Sequence, residues 1–226
     1  MRLSLTDRMS YMEKSGIDWQ ARIFETAAKK SPQIIPLFKY LYFAIILFLI
    51  LGANSYITKG EVNQSFYTIG VYFGRTALTL LGIVVLPGIL GRFGVEIKFT
   101  RIITLFRRQL GILVFVLTFS HYQLVRGISV YTGQMPLFPR PIFEVLGTSA
   151  LFLMFFMFLT SNNFSQKTLG KNWKRLHRVV CLILWLLVLH TGLQRISIWS
   201  VFIFTFAILE LASLIYDYLK KKQKTA

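Results

Sequence analysis

Histidine occurs three times in these 226 residues, at positions 121, 177 and 190. His121 stands near the end of one apolar run, and His177 and His190 bracket another, thirteen residues apart. An imidazole inside a membrane helix is costly, so each one placed there is a candidate for function. Neutral imidazole is also a common axial ligand of porphyrin iron. The chemistry these residues point to is one-electron transfer at an iron cofactor. Arg75 is the other expensive side chain inside an apolar run, within Gly74-Arg75-Thr76. A lone cation in lipid costs about 2.5–3.5 kcal/mol on the insertion scale unless it meets a counter-charge. A heme propionate or a quinone oxygen would serve; so would Glu144, Glu210 or backbone carbonyls.

The elements that must position these residues are membrane helices. The chain is 54% hydrophobic and 15% aromatic, and several runs reach the ~20 apolar residues that cross a bilayer. Only helices and closed barrels span lipid. The strict alternation of barrel strands is missing, so the expected fold is all-α. The first ~35 residues are polar, which argues against a cleavable signal peptide. The single cysteine, Cys181, lies inside an apolar run and reads as inert packing.

Six spans are expected, near 37–56, 66–90, 110–125, 143–160, 179–193 and 199–219. The second is interrupted by Arg75 and ends near Pro87 and Gly88, and the third and fifth are short enough to need snorkelling flanks. This divides the chain into an N-terminal extension (1–37), a six-helix domain (38–219) and a basic tail (220–226). Within the extension, Asp18 is placed to cap a short helix carrying Trp19, Ile23, Phe24 and Ala27 on one side, lying on the membrane surface. The net charge is +17. In a soluble protein that would suggest nucleic acid, but its distribution gives another reason. Twenty-one Lys and Arg fall in the N-terminal segment, the second-to-third and fourth-to-fifth loops and the tail. Only Lys59, Arg126, Arg140 and Arg195 fall on the opposite side. The positive-inside rule then sets both termini in the cytoplasm of a multi-pass plasma-membrane (bacterial inner-membrane) protein, with no nucleic-acid partner.

His121 and His190 each lie five residues from a basic residue at the outer boundary, Arg126 and Arg195. At ~1.5 Å per residue both sit roughly 7 Å inside that boundary. Equal depth on two different helices is what one heme held between them requires; the bland reading is polar glue between helices. His177 is ~20 Å away along a helix and ~140° off the face of His190 if that helix is straight. It stands at the inner face opposite Arg107 and Arg108, with no histidine partner. An inner ligand, a heme contact, a quinone-site residue and a lipid-facing histidine all remain open for it.

The run Gly170-Lys171-Asn172-Trp173-Lys174-Arg175-Leu176-His177-Arg178, followed by His190, resembles the ferric reductase-like transmembrane domain family, closest to its MsrQ branch. Gly74-Arg75-Thr76-Ala77-Leu78, Arg107-Arg108-Gln109-Leu110-Gly111, Arg140-Pro141 and Thr160-Ser161 extend the similarity over about residues 66–195. The resemblance implies a six-helix protein binding b-type heme, one or two per chain, with His121, His177 and His190 as candidate ligands. It implies electron flow from the quinone pool or a cytoplasmic flavin reductase to an outer-face reductase that repairs oxidised methionine. FMN binding is also associated with the branch.

Fewer than ten residues follow the last span, and no loop carries a Gly-rich nucleotide motif. The chain also shows no paired-carboxylate site, no nucleophile beside a base and no cysteine cluster. The expectation is an electron relay without a nicotinamide domain of its own. The rival readings are a small transporter or channel using Arg75 and the histidines, or a heme-free scaffold subunit.

Overall fold

The computed structural model describes residues 19–59, 64–95 and 97–225; Asp18, expected as a helix cap, lies outside them. Every regular element among the described residues is a helix. The protein is all-α, with six helical stretches long and apolar enough to cross a membrane.

The first, α1 (Trp19–Lys59), is one uninterrupted helix, although Pro32 and Pro36 lie within it. The sequence predicts a short surface helix and a separate span there. A proline lacks the N–H that would bond the carbonyl four residues earlier. At Pro32 that carbonyl belongs to Ala28, and the Ser31 hydroxyl donates to it at 2.8 Å, which keeps the helix whole. Next, α2 (Gln64–Phe93) runs through Pro87 rather than ending there. α3 (Lys98–Tyr122) continues through a π-helical turn at Gln123–Gly127 and a last turn at Ile128–Tyr131. The third span is therefore longer than expected, because its basic flank is helical too. α4 (Ile142–Leu159) follows Pro141. Two short helices come next, α5 (Asn163–Leu169) and α6 (Lys171–His177). Asn162 caps the first, accepting from the Ser165 amide at 2.7 Å. Gly170, at φ +50°, turns the chain between them, a conformation that glycine adopts without steric cost. α7 (Val180–Gln194) and α8 (Ile198–Thr225) complete the molecule.

Five of the long helices close a ring in the order α3, α2, α8, α7, α4 and back to α3; α1 packs outside, against α3. The Tyr42 hydroxyl ties α1 down by donating to the Gln109 carbonyl at 2.7 Å. All five ring helices contribute to one apolar core: Leu81, Val85 and Ile89, then Val114, Ala150 and Met154, Ile183, Leu184 and Leu187, and finally Ile203 and Ala207. Phe115 of α3 stacks on Phe158 of α4 with centroids 4.4 Å apart. About one to two helical turns beyond this core the lining becomes polar at both ends. Gly74, His121, Gly147 and His190 mark one end; Arg92, Arg107, His177, Glu210 and Ser213 mark the other.

Candidate functional site: two imidazoles across the ring

His121 is carried by α3 and His190 by α7, and these helices are not neighbours in the ring. The two side chains stand within electrostatic reach of one another. The matched placement predicted from their distances to Arg126 and Arg195 is thus found as a pair at one end of the bundle.

Each imidazole is anchored in the same way. His121 Nδ1 lies 2.9 Å from the carbonyl oxygen of Gly70 on α2, and His190 Nδ1 lies 2.7 Å from that of Phe143 on α4. A carbonyl can only accept, so each Nδ1 carries the proton and donates it. In the neutral ring Nε2 is left with its lone pair. A helix carbonyl is ordinarily screened by the side chain one turn on. Here the residue four positions later is glycine in both cases. A Cβ added at Gly74 would stand 2.8 Å from His121 Nδ1, and one at Gly147 would stand 2.6 Å from His190 Nδ1. The missing methyl is what lets each ring reach the backbone. Ser120, fully buried beside His121, has a hydroxyl with no hydrogen-bond partner among the described residues.

Arg126, five residues after His121, and Glu144, next to Phe143, form an ion pair between α3 and α4. Arg126 Nε contacts Glu144 Oε2 at 2.8 Å and its Nη1 donates to Oε1 at 3.1 Å. Nη2 donates to the Pro136 carbonyl at 3.0 Å. The sequence suggested Glu144 or Glu210 as partner to Arg75, but both are engaged elsewhere, Glu210 by Arg92. Arg75 is not a buried cation. It is exposed on the bundle surface, with its guanidinium 5.5 Å from the Tyr72 ring and 6.0 Å from the Trp199 ring. One residue on from Gly74 is ~100° around the helix, which turns Arg75 away from His121.

His177 does not join the other two. It ends α6 at the far end of the bundle, stacked on Trp173 with centroids 4.1 Å apart. Its Nε2 is 3.3 Å from Thr160 Oγ1, and the Trp173 indole N–H donates to the Thr160 carbonyl at 2.9 Å. Arg107 is within electrostatic reach. The straight-helix phase that set His177 off the face of His190 does not apply, because the chain breaks at Arg178 and Val179 before α7 begins. No group of three or more His, Cys, Asp or Glu comes together among the described residues to hold a bare metal ion.

Gly147 and the Arg126–Glu144 pair are not among the features that the sequence singles out. The clue to Gly147 was available: Gly74 and Gly147 are both small residues within apolar runs, where neighbours approach closely.

The family model described as the ferric reductase like transmembrane component matches residues 73–188, just over half of the chain. The match takes in Gly74, His121, Gly147 and His177 and stops two residues short of His190. Two curated relatives share the name protein-methionine-sulfoxide reductase heme-binding subunit MsrQ. That of Agrobacterium fabrum is 35% identical over 97 residues, covering 41% of this chain and 45% of the relative. That of Brucella anthropi is 28% identical over 134 residues, covering 58% and 56%. The chain thus spans about half the length of these curated relatives. No solved structure matches. The six apolar helices and the extent of the family match lead to one assignment: the chain belongs to the ferric reductase-like transmembrane component family.

Proposed function

We propose that this protein is a membrane electron-transfer subunit that binds heme b between His121 and His190. The observation that carries the reading is the paired anchoring of the two imidazoles. A metal-bound histidine almost always donates its other ring N–H to a carbonyl, carboxylate or water, which fixes tautomer and orientation. Both rings already do so through Nδ1, which leaves Nε2 of each free to bind iron. The glycine cradles at Gly74 and Gly147 and the unpaired Ser120 hydroxyl are further features the group fits. The heme-binding name of both relatives agrees with this reading.

Heme, when bound, supplies one-electron chemistry at iron. The chain supplies the rest. His121 and His190 would hold the group through Nε2, and the surrounding helices would exclude water from it. The charge asymmetry supports an N-in, C-in orientation in a plasma membrane, with the His121–His190 end outward. Electrons then enter at the cytoplasmic end, from quinol or a cytoplasmic flavin reductase with FMN as a candidate carrier, and leave to an outer-face reductase. His177, beside Trp173 and Arg107, stands at the entry end. It suits a contact to a second heme or to a quinone. Arg75, lying with Tyr72 and Trp199, is left as a rim residue that would meet a propionate only at the surface.

Protein purified from membranes should show a b-type α band on reduction, with one or two hemes per chain. A preparation that stays colourless despite heme supply, and that is stabilised by anions instead, overturns the proposal in favour of a transporter. Within this reading the glycines make a sharp prediction. Gly147→Ala pushes a methyl to 2.6 Å from His190 Nδ1, so the ring must leave the Phe143 carbonyl. Loss of such an outer partner typically costs 10–100-fold in metal affinity. Heme occupancy should fall and heme release quicken by about that factor. Gly91→Ala meets nothing within 4 Å and should leave both unchanged.

A further inference from the structure

We infer that the Arg126–Glu144 pair is a positioning and potential-setting element of the His121–His190 site, joining the two imidazole supports through one ion pair. The inference rests on the heme reading above and deepens it. Arg126 lies in the π-helical turn Gln123–Gly127, which begins two residues after His121. Glu144 is the neighbour of Phe143, whose carbonyl holds His190 Nδ1 at 2.7 Å. One hydrogen bond at 3.1 Å, from Nη1 to Oε1, and a close charge contact at 2.8 Å between Nε and Oε2 hold the two side chains together. The side chains are only 12% and 21% exposed, so water screens them poorly.

Three features separate this pair from an ordinary surface bridge. It links helices α3 and α4, the two that carry His121 and the acceptor for His190. It sits where α3 departs from α-helical geometry, and such π-turns occur frequently at functional sites. Arg126 is also held by the Pro136 carbonyl at 3.0 Å, so its guanidinium is fixed by a backbone tie as well as by Glu144.

The pair is neutral as a unit. Reduction of a heme held by the two imidazoles would add one negative charge at that site. A positive charge left alone nearby favours the reduced state, and a negative charge left alone opposes it. Glu144→Gln keeps the shape and strands Arg126, so the midpoint potential should rise. Arg126→Gln strands Glu144, so the potential should fall. The expected size is about tenfold in the reduced-to-oxidised ratio at fixed ambient potential, which is ~59 mV for a one-electron couple. A role limited to stability would not give shifts of opposite sign.

The experiment is a spectroelectrochemical titration of the full chain with its heme, in detergent or nanodiscs, for wild type, Glu144→Gln, Arg126→Gln and the swapped Arg126→Glu/Glu144→Arg variant. Opposite shifts in the single variants, with the swapped variant back within about threefold of wild type, support the inference. Unchanged potentials, or shifts of the same sign, overturn it. If the single variants do not retain heme, the swapped variant decides: a wild-type-like band and potential support the pair, and their absence overturns it. A wild-type protein without a b-type spectrum would sink the heme reading itself, which separates the two failures.

Discussion

Replacing either His121 or His190 with alanine should abolish the low-spin α band, whereas His177→Ala should leave it in place. The first two rings occupy equivalent supports across the helix ring, each tied through Nδ1 to a helix carbonyl. If the two imidazoles hold a heme as proposed, removal of either would leave a single histidine for the iron, and the low-spin spectrum would become high-spin or be lost with the heme. His177 is held at the other end of the apolar core by Trp173 and Thr160. Under the proposed function its loss should slow reduction by quinol or by a flavin reductase, without removing the band that depends on His121 and His190. The measurement is the reduced-minus-oxidised spectrum and heme stoichiometry of the three variants, with total folded protein as reference. An intact α band in both His121→Ala and His190→Ala would falsify the ligand assignment.

The parts of this architecture that depend on local sequence were legible. Apolar runs of membrane-crossing length announce helices, so the all-α, six-span fold follows from composition and run length alone. Equal offsets from Arg126 and Arg195 gave the pairing of His121 with His190, because depth along a helix is linear in residue number. Helix ends were less legible. Backbone inside or near a bilayer keeps its hydrogen bonds where it can, so α1 runs through Pro32 with help from Ser31, and α2 runs through Pro87. Breaks that depend on backbone turns, such as that after His177, carry no periodic signal.

What the sequence withheld was direction around each helix and the choice of partner. Arg75 and Gly74 are adjacent in sequence but point to different surroundings. Gly74 faces an imidazole, and Arg75 lies against Tyr72 and Trp199. Five candidate charges, Arg75, Arg92, Arg126, Glu144 and Glu210, allow several pairings on paper. Ring order and position along the helix decide among them: α3 beside α4 gives Arg126 to Glu144, and α2 beside α8 gives Glu210 to Arg92 in the last turn of α2 rather than to Arg75. The role of Gly147 needed the same information, since a glycine in an apolar run acquires meaning only when the atom opposite it is known.

The second large effect lies at the cytoplasmic end under the proposed orientation, where Arg92 pairs with Glu210 and donates through Nε to Ser213 Oγ at 2.8 Å. Ser213 in turn donates to the Glu210 carbonyl at 2.8 Å, so one guanidinium closes α2 against α8. The Glu210 side chain is 7% exposed and that of Arg92 is 24% exposed. Breaking a buried pair by removing one partner costs about 3–5 kcal/mol, because the other charge is left without compensation. The two halves should not cost the same. Arg92→Met strands a carboxylate in the middle of an apolar helix, with Arg107 the one other cation among the described residues that acts on it. Glu210→Gln strands an arginine in the last turn of α2, whose long stem can carry its head toward the headgroups. Arg92→Met is therefore expected near the top of that range and Glu210→Gln at about half of it or less. Thermal unfolding of purified variants reads the difference, with the heme spectrum at room temperature as control for the opposite end. Joint replacement by Met and Leu removes both charges at once and should recover most of the loss, since apolar substitutes for a buried pair are often neutral. If the double variant is as unstable as Arg92→Met alone, the pair's contribution lies in the Ser213 link between α2 and α8 rather than in charge compensation.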